Sequence, residues 1–423
     1  MVSLLSEIFI SITTIILTMI IERSAEVKLI QTLRKWVFLY GRRKTGKTFL
    51  VNTFIPHDEY FFIKNDKNIL TKNNETLSYE TFVAVLRRAL SDQKTVVVDE
   101  FHRLGDSFFD FLHATEKNGK LILISSTLFL SKRLLSGKSA LLGLFAEVPL
   151  GLISLSDSLA ALTPFTFSKK ERLELAILLR EPLAIDYFNE RQEARTTIAQ
   201  IIISSIKTIP ALIGEIFVEE EREISAVYEG ILRAISLGRV GSGEISSYLF
   251  SKKLIKKDDP SIIQQYLNNL LSFGILKRIE IFNKKRFIYK LSSPLARIYY
   301  YADERYNLSE RKITEKELLP IIDELMPRIV EDTVREFLAE HYGLRESVVE
   351  AKDFDIDGYL LKFKRPEIAL EVKWKKLSRE DIVHSEETLG LIEAPKKVLF
   401  VQDKKNVSAS VTVLDVEDLL TMK

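Results

Sequence analysis

The sequence predicts an α/β fold whose N-terminal half is a parallel sheet covered by helices on both faces. Two observations predict it. Short apolar runs at residues 35–40, 59–64, 95–100 and 121–127 alternate with helix-compatible stretches, as buried parallel strands do. After Thr163 and Pro164 the pattern changes to helices alone, at residues 169–179, 191–204 and 210–217, with apolar residues three to four apart. A length of 423 residues exceeds one ordinary core, so two to four domains are expected.

Composition excludes some chemistry and leaves the partners open. The absence of cysteine removes disulfides, thiolate zinc sites and a Cys nucleophile. Lys and Arg number 61 against 59 acids, so any nucleic-acid face must come from local clustering rather than net charge. Residues 8–21 are uncharged and apolar. As a helix they would cover about 21 Å, short of the roughly 30 Å hydrocarbon core. Counting from Met1, with only Glu7 interrupting, a span becomes conceivable. The competing readings are a membrane anchor, a buried element, or a start codon called upstream of Met19. No basic stretch precedes the run, so a secretory signal is not expected.

The apolar run at 35–40 ends abruptly at Gly41. The next eight residues, Gly41-Arg-Arg-Lys-Thr45-Gly46-Lys47-Thr48, have the spacing G-x-x-x-x-G-K-[ST], and Phe49 continues into a helix. The spacing serves phosphate binding. Backbone N–H groups point inward at a β-phosphate and glycines permit close approach. Lys47 bridges β- and γ-oxygens, and the Thr48 hydroxyl ligates Mg²⁺. About fifty residues on, Val96-Val-Val-Asp99-Glu100 puts Asp99 at a strand end to hold the Mg²⁺ shell. Glu100 is placed to orient or deprotonate the attacking water. Alone, an apolar strand ending in Asp-Glu could be an ordinary strand terminus. After an intact phosphate loop it reads as functional. Ser125, Ser126 and Thr127 end the next strand, where a polar group could sense the γ-phosphate or simply make a turn.

Together the phosphate loop, residues 96–104 (VVVDEFHRL) and the LILISST strand resemble the archaeal ATPase family of the AAA+/STAND class of P-loop proteins. The resemblance extends from about residue 22 to 375. Thr208-Ile-Pro210-Ala-Leu is similar to that family's Gly-x-Pro-Ala segment in a helical lid. It implies that Pro210 lies near the adenine of ATP and reports nucleotide state. Two departures bear on turnover more than on binding. Gly143-Leu144 stands where the family has Gly-Arg, and Thr208 where Gly is usual.

Three helices at 224–237, 244–254 and 260–273, then a hairpin at 275–291, point to a winged helix, which the family also has. The third helix would present Gln264, Gln265, Asn268 and Asn269 to base edges. The hairpin tip carries Lys284, Lys285 and Arg286, suited to phosphates. Protein docking is the competing use of such a module. From about Asn307 a last α/β unit begins. Asp357 in Phe354-Asp-Ile-Asp357-Gly358, followed by Glu371-Val-Lys373, resembles the PD-(D/E)xK nuclease core. There Asp357 and Glu371 would hold a metal ion and Lys373 would stabilise the reacting phosphate. Glu331, on a helix at 329–342, is a candidate third carboxylate. Strand register is the condition: an even-length loop turns Asp357 away from Glu371, and a three-residue loop or a β-bulge brings them together.

The expectation is therefore a cytoplasmic P-loop NTPase with a restriction-endonuclease-like C-terminal domain, using ATP and Mg²⁺ and acting on double-stranded DNA. Its segments are a hydrophobic stretch 1–21, an ATPase core 22–165, a helical lid 166–223, a winged helix 224–306 and a nuclease-like domain 307–423. The alternatives are a STAND-type switch that self-associates, its C-terminal domain an interaction or effector module, and a version of either tethered to a membrane by residues 8–21.

Overall fold

The computed structural model describes residues 19–126, 143–219 and 225–422. Residues 8–18 of the uncharged run, for which a membrane anchor is one reading, lie outside the described residues, as does Thr127. Among the described residues no single helix is long and apolar enough to cross a membrane.

The N-terminal half is built on helix α1 (Ser24–Thr32), β1 (Trp36–Tyr40), α2 (Lys47–Phe54), β2 (Glu59–Ile63), β3 (Ile69–Thr71), β4 (Thr76–Leu77), α3 (Tyr79–Ser91), β5 (Thr95–Asp99), α4 (Asp106–Ala114), β6 (Lys120–Ser125) and β7 (Phe145–Pro149). Their strands form one sheet in the order β4-β3-β2-β5-β6-β1-β7. From β2 to β7 the pairing is parallel, and β3 and β4 add an antiparallel edge. Val37, Val97 and Ile122 pack on one face and Phe38, Val98 and Leu123 on the other, which is why these strands read as continuous apolar runs. Residues 148–155, a further apolar run in the sequence, are not one element. They are the end of β7, a break at Gly151, and the start of α5 (Leu155–Ala161), capped by Ser154.

Helices α6 (Lys169–Leu179), α7 (Pro182–Ile185), α8 (Ala194–Ser204) and α9 (Thr208–Glu219) follow. The start of α6 is fixed by a capping box between Ser168 and Glu171. Next come α10 (Ala226–Ser236), α11 (Ser242–Ser251) and α12 (Pro260–Ser272), the hairpin β8 (Leu276–Ile281) and β9 (Phe287–Leu291), and α13 (Pro294–Tyr306). The helix expected at 329–342 is the second half of α14 (Glu315–Tyr342), which runs through Pro320 and Pro327 and stops at Gly343 (φ +62°).

The last strands are β10 (Ser347–Glu350), β11 (Asp355–Ile356), β12 (Gly358–Lys362), β13 (Arg365–Lys373), β14 (Lys396–Val401) and β15 (Thr412–Leu414), with helices α15 (Arg379–Gly390) and α16 (Val416–Thr421). Strands β12 to β15 form one sheet. Strand β10 pairs with β8 instead, so the middle hairpin and the C-terminal unit share a sheet, β11-β10-β8-β9.

Register between β12 and β13 meets the condition set above. The turn has two residues, Phe363 and Lys364, an even length that alone would turn Asp357 away. A bulge then shifts the pairing from Leu361↔Pro366 to Leu360↔Ile368, so Gly358 pairs with Leu370. Asp357 thereby continues opposite Glu371, on the same face.

Candidate functional site

The loop between β1 and α2 is held open by backbone that only small residues permit. A Cβ on Gly41 would lie 2.1 Å from the Leu150 carbonyl oxygen, and Gly46 has φ +84°. Arg23, buried, donates to the Thr45 carbonyl (3.0 Å) and the Gly151 carbonyl (2.7 Å), pinning the loop to the segment after β7. The Lys47 ammonium lies over the loop, donating to the carbonyls of Gly41 (2.9 Å) and Arg42 (2.7 Å). Phe49 is exposed and rests edge-on against Phe54.

Parallel pairing through β6 sets the end of β5 beside the loop. The Thr48 hydroxyl donates to Asp99 Oδ2 at 2.6 Å, Tyr60 donates to the same oxygen at 2.9 Å, and the Glu100 N–H donates to Oδ1 at 2.8 Å. Burial pushes the fully buried Asp99 carboxyl up, against the pull of Thr48 and Tyr60. Glu100 sits at φ +56°, a left-handed conformation unusual for its type, directly after the strand. Its Oε2 accepts from Ser126 Oγ (3.2 Å) and lies 3.3 Å from Arg103 and 3.4 Å from His102 Nε2. The other ring nitrogen of His102, Nδ1, is 3.3 Å from Ser125 Oγ. Burial, then the charges of Arg103, Arg43 and Lys47, lower His102 to about 4, so the ring is neutral at pH 7.

Behind the loop a cleft of about 660 Å³, open mouth included, is walled by Leu152, Pro182, Leu183, Ile209, Leu212 and Ile213. Its polar edge holds Arg42 and Glu181. Burial lowers the first and raises the second, and each charge partly offsets the other. Glu181 accepts from Ser293 Oγ at 2.6 Å. Pro210 is half-buried at the start of α9, and its neighbours rather than Pro210 itself line the cleft.

Residues 33–159 match the family model of the AAA domain. The match spans the parallel sheet, the phosphate loop and the Asp99-Glu100 strand end, and implies nucleotide binding there. No curated protein matches the chain. Among solved structures, a Walker-type ATPase of Pyrococcus abyssi is 19% identical, covering 66% of this chain and 96% of its own, with a TM-score of 0.49. The ORC2 protein of Aeropyrum pernix is 12% identical, covering 74% and 93%, with a TM-score of 0.36. The ORC1 protein of the same organism, in complex with DNA, is 15% identical, covering 70% and 96%, with a TM-score of 0.32. These likenesses are loose, and the AAA reading rests on the family match and on the loop's own residues.

Outside the matched residues 33–159, Asp357 accepts from the Val372 N–H (2.8 Å), and Lys373 Nζ reaches Glu371 Oε1 at 2.5 Å. Glu371 Oε2 is buried with no hydrogen-bond partner among the described residues. Burial and then Asp357 push Glu371 up to about 7; burial and then Asp357 and Asp332 push Glu331 up to about 8. Asp357 thus acts on both glutamates, but among the described residues no three carboxylates or imidazoles converge closely enough to hold a metal ion.

On α12, Gln264, Gln265 and Asn268 are exposed as expected. Asn269 is not: it is buried and donates to the Tyr228 hydroxyl at 2.6 Å, so it cannot reach a base edge. Lys285 and Arg286 are exposed at the β8–β9 tip, with Lys284 half-buried beside them. The residues that sequence reasoning missed, Arg23, Tyr60, His102 and Glu181, act from other segments. Only His102 lay inside a quoted motif.

Proposed function

We propose that the chain hydrolyses ATP and couples the nucleotide state to contact with double-stranded DNA. In this reading 22–165 is an archaeal-type ATPase core, 166–223 its lid, 224–306 a winged helix and 307–423 a PD-(D/E)xK-like domain. The observation that carries it is the 2.6 Å contact between Thr48 and Asp99 with Lys47 and Glu100 on either side.

The residues fit Mg²⁺. A hydroxyl and a carboxylate already share one point, and the second Asp99 oxygen is fixed by the Glu100 N–H. When bound, the ion supplies positive charge against the phosphate oxygens. Lys47 exchanges its loop carbonyls for phosphate oxygens, and loop N–H groups complete the cradle. Glu100, held by Ser126, His102 and Arg103, accepts the proton of the attacking water. Leu152, Ile209 and Leu212 offer the apolar wall an adenine needs.

Support for the winged helix comes from three helices and a hairpin, with Tyr289 N–H donating to the Val240 carbonyl beside a single β-bridge between Gly241 and Ile288. The bulge that sets Asp357 opposite Glu371 supports the nuclease-like reading. The test is Mg²⁺-dependent hydrolysis by the parent, Lys47→Ala and Glu100→Gln, with and without duplex. Turnover is expected to vanish in both variants and rise with DNA in the parent. A parent that binds ATP yet turns over equally slowly with and without DNA would favour a switch, in keeping with Leu144 where the resembling family has arginine.

A further inference from the structure

Two hairpin tips from different parts of the chain meet at one cleft. Residues 282–287 read Phe-Asn-Lys-Lys-Arg-Phe and residues 361–366 read Leu-Lys-Phe-Lys-Arg-Pro, six cations and no carboxylate in twelve positions. Lys284, Lys285, Arg345 and Lys364 line the cleft between the tips. The acids around it are Glu280, which is paired with Arg345 at 2.8 Å, Glu244 and Glu350, which line the neighbouring cleft with Lys285 and Arg286, and Glu367, two residues beyond Arg365. Among the described residues none of the six tip cations has a carboxylate partner.

The tips are locked together rather than adjacent by chance. Strand β10 pairs with β8 through Ser347↔Glu280 and Val348↔Ile281, and Phe282 N–H donates to the Val348 carbonyl at 2.8 Å. On its other side, Arg345 and Leu361 exchange two backbone hydrogen bonds of 2.9 Å each. Phe282 also stands edge-on against Tyr359 at 4.7 Å.

At the second tip Phe363 is 92% exposed with φ +47°, and Lys364 has φ +75°. Two-residue turns with both φ values positive favour Asn-Gly, and an aromatic there is strained without gaining burial. An exposed ring flanked by Lys362, Lys364 and Arg365 is the chemistry of a wedge against stacked bases beside phosphates.

We infer that the β8–β9 and β12–β13 tips form one duplex-DNA surface in which cations on both sides of the cleft contact phosphates and Phe363 presses on a base step. A single strand is the poorer fit, because successive bases need several exposed rings. Besides Phe363 the tips expose one further ring only in part: Phe287 is 38% exposed, with Arg278 over its face at 4.4 Å.

This inference rests on the DNA reading, and anisotropy of a fluorescent 30-base-pair duplex against salt separates the two. Each phosphate contact contributes about 0.9 to the slope of log K against log salt. Lys284→Gln/Lys285→Gln and Lys364→Gln/Arg365→Gln should each lower the slope by about 1 to 2. Phe363→Ser should weaken binding about tenfold at unchanged slope and reduce bending in an end-labelled duplex. Parental melting temperature and parental nucleotide affinity, both measured without DNA, control for folding in the variants. If the parent binds no duplex, the DNA reading fails and this inference with it. If the parent binds and only the β8–β9 variant weakens, the shared surface is refuted while the DNA reading survives. Tighter binding of a single strand than of duplex would also overturn it.

Discussion

Replacing His102 by alanine should slow ATP turnover about tenfold while leaving nucleotide affinity unchanged. The ring bridges Ser125 Oγ (3.3 Å to Nδ1) and Glu100 Oε2 (3.4 Å to Nε2). Because burial and three nearby cations hold it neutral, with a value of about 4, only one nitrogen carries a proton at pH 7. The geometry assigns that proton to Nε2, which donates to Glu100, while Nδ1 accepts from Ser125. A hydrogen bond to a charged group contributes about 1.5–3 kcal/mol. This one is long, and Ser126 and Arg103 also hold the carboxylate, so the lower end applies; about 1.4 kcal/mol is a factor of ten. Steady-state kcat and KM, with a direct nucleotide Kd, read the effect. His102→Gln should recover most of the rate, since an amide can donate to Glu100 and accept from Ser125. The shape of kcat between pH 6 and 9 should be the same in parent and His102→Gln. Unchanged kcat in His102→Ala would refute the bridge. A parental inflection near pH 6.5 that disappears in His102→Gln would refute the neutral ring.

Two further substitutions test the frame around the site. Gly41→Ala forces a Cβ onto the Leu150 carbonyl, and is expected to cost about 1–3 kcal/mol in stability and to weaken nucleotide binding at least tenfold, checked by melting and by titration. Glu174, fully buried, accepts from Arg195 at 2.9 and 2.8 Å and from Trp374 Nε1 at 2.9 Å. Glu174→Ala strands the Trp374 indole N–H and leaves Arg195 only Asp323, and should cost about 3 kcal/mol, visible in calorimetry as a fall of roughly 6 °C. A shift within 1 °C would show that the bridge between α6 and the end of β13 carries no stability.

What was legible in the sequence was what a few consecutive residues encode. The phosphate loop needs its two glycines, its lysine and its threonine in one run, and the strand end needs only apolar residues followed by Asp99 and Glu100. Contacts made over long separations left no local trace. Arg23 reaches Thr45 and Gly151, and Tyr60 reaches Asp99 across 39 residues. Only 329–342 is expected as helix, yet α14 begins at Glu315 and runs through Pro320 and Pro327, with Leu318, Ile321, Ile322, Leu325, Met326, Ile329 and Val330 keeping one buried face across both. Packing overrode local propensity there. The bulge at Glu367 was foreseen only as a condition, because neither Pro366 nor Glu367 announces it and its consequence is felt ten residues away at Asp357. The pairing of β10 with β8, on which the shared basic surface depends, had no sequence signal.

The same helix α14 that defeated local reading connects the cleft to the acid pair. Arg180, next to Glu181 of the cleft, donates from Nε to the Ile153 carbonyl (2.9 Å) and from Nη2 to Glu336 (3.0 Å). Burial alone would raise the Glu336 carboxyl; Arg180 and Lys277 overcome it and hold the group at about 2. One residue earlier, Arg335 donates to the Asp357 carbonyl (2.9 Å) and to Asp332 (2.6 Å), and Asp332 in turn pairs with Arg297 (2.8 Å). Separating α6 from α14 would leave Glu336 buried with half its compensation gone, a cost on the order of 3–5 kcal/mol. That is comparable to the free energy by which one ligand alters another's site. A ligand that moved Arg180 would therefore be expected to move α14 with it, since parting the two costs more than a joint shift. Through Arg335 the same helix holds the carbonyl of Asp357, one residue before the strand whose tip bears Phe363, so that shift would reach the second tip.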